Sequence, residues 1–267
     1  MLVTRHSTAA TANDQLREVL EPGESNRQWL RRLSATEGLL LLGGSSLAHF
    51  RVRVAQSHLR HDLTPSYWSL AGILEGPDAF LSVPLELRGE ASDVPRTNGV
   101  QVCQVADYDD PVAFPNVAVV RFARQSGPIR EIAERVREQR SVIDIPSLML
   151  AWLGFVWGVG PVDNPLLQGH GLPSAAFVET VYAIAGLELT PGLASAASCP
   201  EAIWQAAKWW HPYYEESTGV GGGAHGLVTV PSGFFAVRQP AAAIVAPGRR
   251  AASGAGGQPV HQEARRA

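Results

Sequence analysis

The sequence predicts an α+β fold in which an antiparallel sheet packs against helices. Four strand-like apolar runs follow one another at residues 67–74, 79–85, 100–105 and 117–122, separated by turn-rich pieces such as Glu75-Gly76-Pro77-Asp78 and Thr97-Asn98-Gly99. Runs in such succession suggest an antiparallel meander. Helical periodicity occupies other segments, at residues 129–140, 174–185 and 200–214. With 267 residues, 45% of them hydrophobic, the chain can bury one substantial core, and its length does not force a second domain.

The elements are justified in order along the chain. Residues 1–36 read as a helical N-terminal extension: Ser25 and Gln28 have capping-box spacing, and Trp29, Leu30 and Leu33 supply a short apolar stripe. Residues 37–240 read as the main domain. It opens with the apolar run 39–42, which ends at Gly43-Gly44 as a buried strand would. From Ser46, the apolar positions Leu47, Phe50 and Val54 describe a helix that a serine caps and that closes before Pro65. After the four strand-like runs, residues 129–140 form a charged amphipathic helix and residues 174–185 a more apolar one. Residues 200–214 form a third, which carries Trp204, Trp209 and Trp210. A last strand-like piece, 227–237, is interrupted at Pro231 and Gly233. Residues 241–267 are an Ala/Gly/Pro/Arg tail with too few apolar side chains to offset the entropy of ordering, so disorder is expected there.

Composition narrows the function. A net charge of -3 with scattered charged residues supplies no basic field for nucleic acid. Two cysteines, Cys103 and Cys199, fit neither a disulfide framework nor a zinc site and read as small buried hydrophobes. The first fourteen residues lack an apolar signal region, and the apolar run 145–162 is broken by Pro146, Gly154, Gly158 and Pro161. No membrane span is expected, and the cytoplasm is the expected compartment.

Two segments about a hundred residues apart carry a family resemblance. Ser66-Tyr67-Trp68-Ser69-Leu70-Ala71-Gly72-Ile73-Leu74 resembles the "Ser-His-Val-Gly-Ile" strand of the circularly permuted NlpC/P60 branch of papain-like thiol hydrolases. Pro173-Ser174-Ala175-Ala176-Phe177-Val178-Glu179-Thr180-Val181-Tyr182 resembles that family's "Cys-Ser-x-Phe-Val-x-x-x-Tyr" helix start. Shorter similarities appear in the family's order: Glu37-Gly38-Leu39-Leu40-Leu41 to its opening strand, Ala185-Gly186-Leu187 to the end of its nucleophile helix, and Ser198-Cys199-Pro200-Glu201 to the start of the next helix. The resemblance implies a papain-like fold over residues 37–214, permuted so that the strand with the base position precedes the helix with the nucleophile position. Parallel strands, or a helix not beginning near Ser174, would instead indicate an unrelated α+β domain.

By that resemblance Leu70 stands at the position of the catalytic histidine and Ser174 at that of the catalytic cysteine. A papain-like cysteine is held as thiolate by the helix dipole and an adjacent imidazolium, whereas a serine hydroxyl there requires a positioned base. Leu70 is no base. His170, four residues before Ser174, is the best substitute, ahead of His49, His58, His61 and His211. The sequence therefore implies a pseudoenzyme, a binding or structural module of a larger assembly. Its cleft would be lined by Trp68, Ser69, Phe177, Trp204, Trp209, Trp210 and Tyr213 and would hold a protein partner, a peptide or a lipid chain. The alternative is an active amide or ester hydrolase that uses Ser174 or Cys199 with a displaced histidine.

The remaining constellations are weaker. His58, His61 and Asp62 share one segment but lack a third cluster at ligand spacing. Asp107, Asp109 and Asp110 lack the glycine and terminal glutamate of a calcium loop and read as a solvated turn. Residues 219–226 are glycine-rich without the ending of a phosphate loop, and read as a hairpin loop. Neither metal nor cofactor is implied.

Overall fold

The computed structural model describes residues 16–86, 97–122, 126–158, 161–218 and 231–239. Seven strands, β1 (Leu16–Glu18), β2 (Leu39–Gly43), β3 (Leu70–Leu74), β4 (Ala79–Ser82), β5 (Gln101–Gln104), β6 (Asn116–Phe122) and β7 (Pro231–Val237), form one sheet in the order β1-β7-β6-β2-β3-β4-β5. Every neighbouring pair is antiparallel except β1 with β7, a parallel pair at one edge. The class is α+β, but the sheet is mixed rather than antiparallel throughout as expected, because β1 lies alongside β7 in the same direction.

Strand order departs from a simple meander at one point. β3, β4 and β5 do pair in succession, but β6 returns to the other side of β2. The burial of each strand accounts for this. Val117 and Val119 of β6 face one apolar cluster while Ala118 and Val120 face the other, so both faces are buried and the strand needs neighbours on both sides. β5 has glutamine at both ends and serves as an edge.

The two clusters lie on opposite faces of the sheet. Leu39, Leu41, Ala71, Ile73 and Val120 point into the larger one, which is covered by α3 (Ser126–Glu138), α4 (Ile145–Trp157) and α5 (Pro173–Ile184), with Ile203 and Trp204 of α6 (Pro200–Thr218). Leu40, Leu42, Leu70 and Leu74 point into the smaller one, where Trp29 and Leu30 of α1 (Asn26–Arg32), Tyr108 and Phe114 close it. The four leucines of β2, Leu39 to Leu42, alternate between the two clusters, so the strand is apolar on both faces.

Three local features depart from, or fill in, the sequence reading. The Ser25–Gln28 capping box of α1 is formed as expected, but the segment before it also contributes β1. Three residues are too short to show a strand period. The apolar run 145–162 contains the helix α4, because Pro146 falls in the first turn, where no N–H is needed, and Gly158 closes the helix at φ 66°. Leu47–Ala55 forms α2, capped by Ser46 as expected. No helix among the described residues is long and apolar enough to cross a membrane.

Candidate functional site

The segment that launches α5 is fixed by backbone contacts. Gly171 N–H donates to Ala196 O and Leu172 N–H to Ser198 O, at 2.7 and 2.8 Å, so this stretch runs against the residues that precede α6. Gly171 is required there: a Cβ would sit 2.4 Å from Ser198 O. The Trp152 indole N–H of α4 donates to the Gly171 carbonyl at 2.8 Å. Pro173 then starts the helix, which places Ser174 in its first turn as the sequence predicts.

Ser174 is brought onto β3, where its hydroxyl is already engaged. β4 starts pairing with β3 only at Gly72, opposite Ser82, so Ala71 has no strand partner on that side. Two serines fill the gap. Ser82 Oγ donates to Ala71 O at 2.6 Å, and Ser174 Oγ accepts from Ala71 N–H at 3.2 Å. Ser174 is 1% exposed. Its hydroxyl does for the backbone what a longer β4 would have done.

Leu70 does not face Ser174. Side chains alternate along β3, so Ala71 and Ile73 point toward α5 while Leu70 joins the cluster on the other face with Leu42. The residue next to the serine is therefore Ala71, one place later than the resemblance implied, and neither residue is a base. Among the described residues no histidine bonds to Ser174. His170 lies in an exposed loop, its N–H on Pro165 O and its carbonyl accepting from Trp152. His49 packs edge-on against Phe114, with Nε2 3.9 Å from a Glu86 carboxylate oxygen, and His58 Nδ1 lies 3.0 Å from Ala55 O.

The other predicted nucleophile, Cys199, is 1% exposed. Burial is the main influence on its thiol, which is pushed up to about 12. A thiol so shifted is protonated at neutral pH and is a poor nucleophile.

The residues expected to line a cleft occupy different places. Trp68, Ser69, Phe177 and Trp204 are all buried, and the Trp68 and Trp204 rings meet edge to face at 5.0 Å. Ser69 Oγ accepts from Gly44 N–H at 3.0 Å. Trp68, Phe177 and Trp204 belong to the core on the helix-covered face of the sheet, while Ser69 is tied to the end of β2, where its hydroxyl also donates to Leu42 O. Trp209 is 62% exposed. The side chains of Trp210, His211, Tyr213 and Tyr214 lie outside the described residues, as do residues 219–226.

No family model, curated protein or solved structure matches this chain. What the site does is therefore argued from its geometry alone.

Two buried carboxylates escaped the sequence reading. Glu179 of α5, 3% exposed, accepts from Thr190 Oγ1 at 2.6 Å and Ser198 Oγ at 3.0 Å, which ties the nucleophile-position helix to the loop before α6. Glu201 of α6, fully buried, accepts from Ser66 Oγ at 2.6 Å and faces Arg60 at 3.5 Å. Each stands among apolar neighbours in the sequence, and that contrast is the signal that marks them. The acidic and histidine clusters weighed for metals are engaged otherwise: Asp62 pairs with Arg60, Asp109 accepts from Arg27 N–H and Asp110 from Val112 N–H. Among the described residues no group of three or more His, Cys, Asp or Glu could hold a metal ion.

Glu179 gives the protein a pH dependence of known sign. Burial raises its pKa above 4.5, against the opposing hydrogen bonds from Thr190 and Ser198. Between the unfolded and folded values the native state holds a proton that the unfolded chain has released, so stability falls as pH rises through that window. The substitution Glu179→Gln, neutral at every pH, removes this slope. Its stability relative to the natural chain is expected to improve as pH rises from 4.5, in urea titrations at a series of pH values.

Proposed function

We propose that the protein is a catalytically inactive module built on an NlpC/P60-like, papain-type framework, which acts as a binding or structural component of a larger assembly. The observation that carries this reading is the hydrogen bond from Ala71 N–H to Ser174 Oγ. In support of it, β3 and the N-terminus of α5 meet at this bond. The meeting point, however, is sealed and used for packing. Attack by Ser174 would require breaking a buried backbone hydrogen bond and recruiting a base that the described residues do not place there. A dead site of this kind keeps its framework for architecture, and what it binds must bind elsewhere.

The test is chemical labelling of the folded chain. A fluorophosphonate probe and iodoacetamide are each expected to leave the native protein unmodified, as read by intact mass. A fluorophosphonate adduct that Ser174→Ala abolishes, or rapid alkylation that Cys199→Ala abolishes, would establish the hydrolase alternative instead.

A further inference from the structure

The other end of α5 carries a pocket that neither the resemblance nor the hydrolase-like geometry accounts for. It opens where the residues just before β2, the ends of β3 and β6, and the start of α3 meet the last turn of α5, and it is open to solvent, its empty space of about 410 Å³ including solvent at the mouth. Its apolar wall comes from Ile73, Phe122 and Ile129. Its polar groups are Arg121, Tyr182, Glu37 and Arg130.

Two of these hold hydrogen-bonding groups without partners. Arg121 is anchored through Nη2, which donates to Ser34 O at 2.9 Å, yet its Nε–H is buried and has no acceptor among the described residues. Tyr182 is 3% exposed, packs its ring against Phe122 at 5.6 Å, and has no hydrogen bond for its hydroxyl among the described residues. A buried guanidinium N–H ordinarily finds a partner, and leaving the Arg121 Nε–H unpaired costs on the order of 1–3 kcal/mol. Burial, reinforced by the Glu37 charge, keeps the Tyr182 phenol protonated and therefore a donor. The pocket thus offers two donors with no acceptor among the described residues.

The charges around them select its kind. Arg130 is paired with Glu75 at 3.2 Å, so the charged groups of the pocket lining outside that pair are Arg121 and Glu37. Glu37 repels any anion, but a dianion about twice as strongly as a single carboxylate, which one guanidinium and one phenol can match. Gly38, at φ 115°, holds the floor close: a Cβ there would come within 2.7 Å of Val120 O and 3.2 Å of Arg121 Cγ, so the guanidinium stem stays fixed.

We propose that this pocket binds a small organic acid through its carboxylate, with Arg121 and Tyr182 as donors and the apolar body of the acid against Ile73, Phe122 and Ile129. The site is independent of the Ser174 region and stands whether or not that region is inactive.

Isovalerate is a suitable probe, with isoamyl alcohol as its uncharged counterpart of the same shape and inorganic phosphate as a polyanion without an apolar body. Titrations followed by NMR or calorimetry are expected to show isovalerate binding more tightly than either. Arg121→Gln and Tyr182→Phe are each expected to weaken it by about tenfold, the loss that follows from removing one hydrogen bond to a charged group. Tyr182→Phe keeps the ring that the core needs, so it remains informative if Arg121→Gln disturbs the sheet. Equal binding of the alcohol, tighter binding of phosphate, absence of isovalerate binding at millimolar concentrations, or insensitivity to Tyr182→Phe would each overturn the proposal.

Discussion

Replacing Trp68 by alanine is expected to destabilise the fold by about 3–5 kcal/mol, the usual cost of deleting a buried tryptophan. The side chain is fully buried and stacks edge-on with Trp204, which in turn meets Phe235 of β7 at 5.2 Å. Its loss would open a void between β3, α6 and the far edge of the sheet, where the neighbours are too large to collapse into it. The indole N–H has no partner among the described residues, so Trp68→Phe forfeits no hydrogen bond there and should cost clearly less than Trp68→Ala. Urea midpoints for the two variants distinguish a core residue from one lining a cleft. A cleft position would leave stability within about 0.5 kcal/mol of the natural chain in both cases.

The second large effect is expected at Glu201. Its carboxylate is fully buried, accepts from Ser66 Oγ, and faces the Arg60 guanidinium, which also pairs with Asp62 and lies over the Tyr67 ring at 4.3 Å. Glu201→Ala strands the buried side of that guanidinium and orphans the Ser66 hydroxyl. Removing one member of a buried pair costs about 3–5 kcal/mol, mostly through the charge left behind. Glu201→Gln keeps an acceptor for Ser66 and should cost less. Replacing both members, Arg60→Met with Glu201→Met, should recover much of the loss, because two apolar side chains leave no stranded charge. Equilibrium unfolding of these variants, with Arg60→Met and Glu201→Met as single changes, measures this. A deficit for the double variant equal to the sum of its single changes would show that the pair does not act as a unit.

The network around Glu201 also explains why α6 sits where it does. Gln56 at the end of α2 accepts from Glu201 N–H through Oε1, and its Nε2 donates to Trp68 O and Val52 O. One side chain thus joins α2, the entry to β3 and the first turn of α6. Arg53, also fully buried, donates to Ser66 O at 2.6 Å and, more weakly, to Gly44 O and Gln239 O. Burial, helped by the nearby Arg60 charge, lowers its pKa to about 10, still well above neutral pH, so it remains a cation that organises carbonyl groups.

Local signals in the sequence matched the structure where the determining forces are local. The Ser25–Gln28 capping box, the Ser46 cap and Pro173 at the head of α5 each mark a helix start through backbone chemistry within one turn. Pairing between distant segments was less legible. β1 is three residues long and finds its place only because β7 presents a free edge, while β6 joins β2 because both of its faces are apolar. The site was half visible. Ser174 at the start of α5 does touch β3, but through Ala71, because the period-two alternation of the strand sends Leu70 to the far face. The pocket was invisible because its groups, Glu37, Arg121 and Tyr182, come from three distant segments and share no motif.

The most direct test of the inactive reading is a crystal structure of the chain that locates the Ser174 side chain. The account predicts Ser174 Oγ within hydrogen-bonding distance of Ala71 N, Leu70 on the opposite face of the sheet, and no imidazole in reach. An imidazole nitrogen about 3 Å from Ser174 Oγ, with a solvent path to the pair, would contradict it and name the base of an active hydrolase.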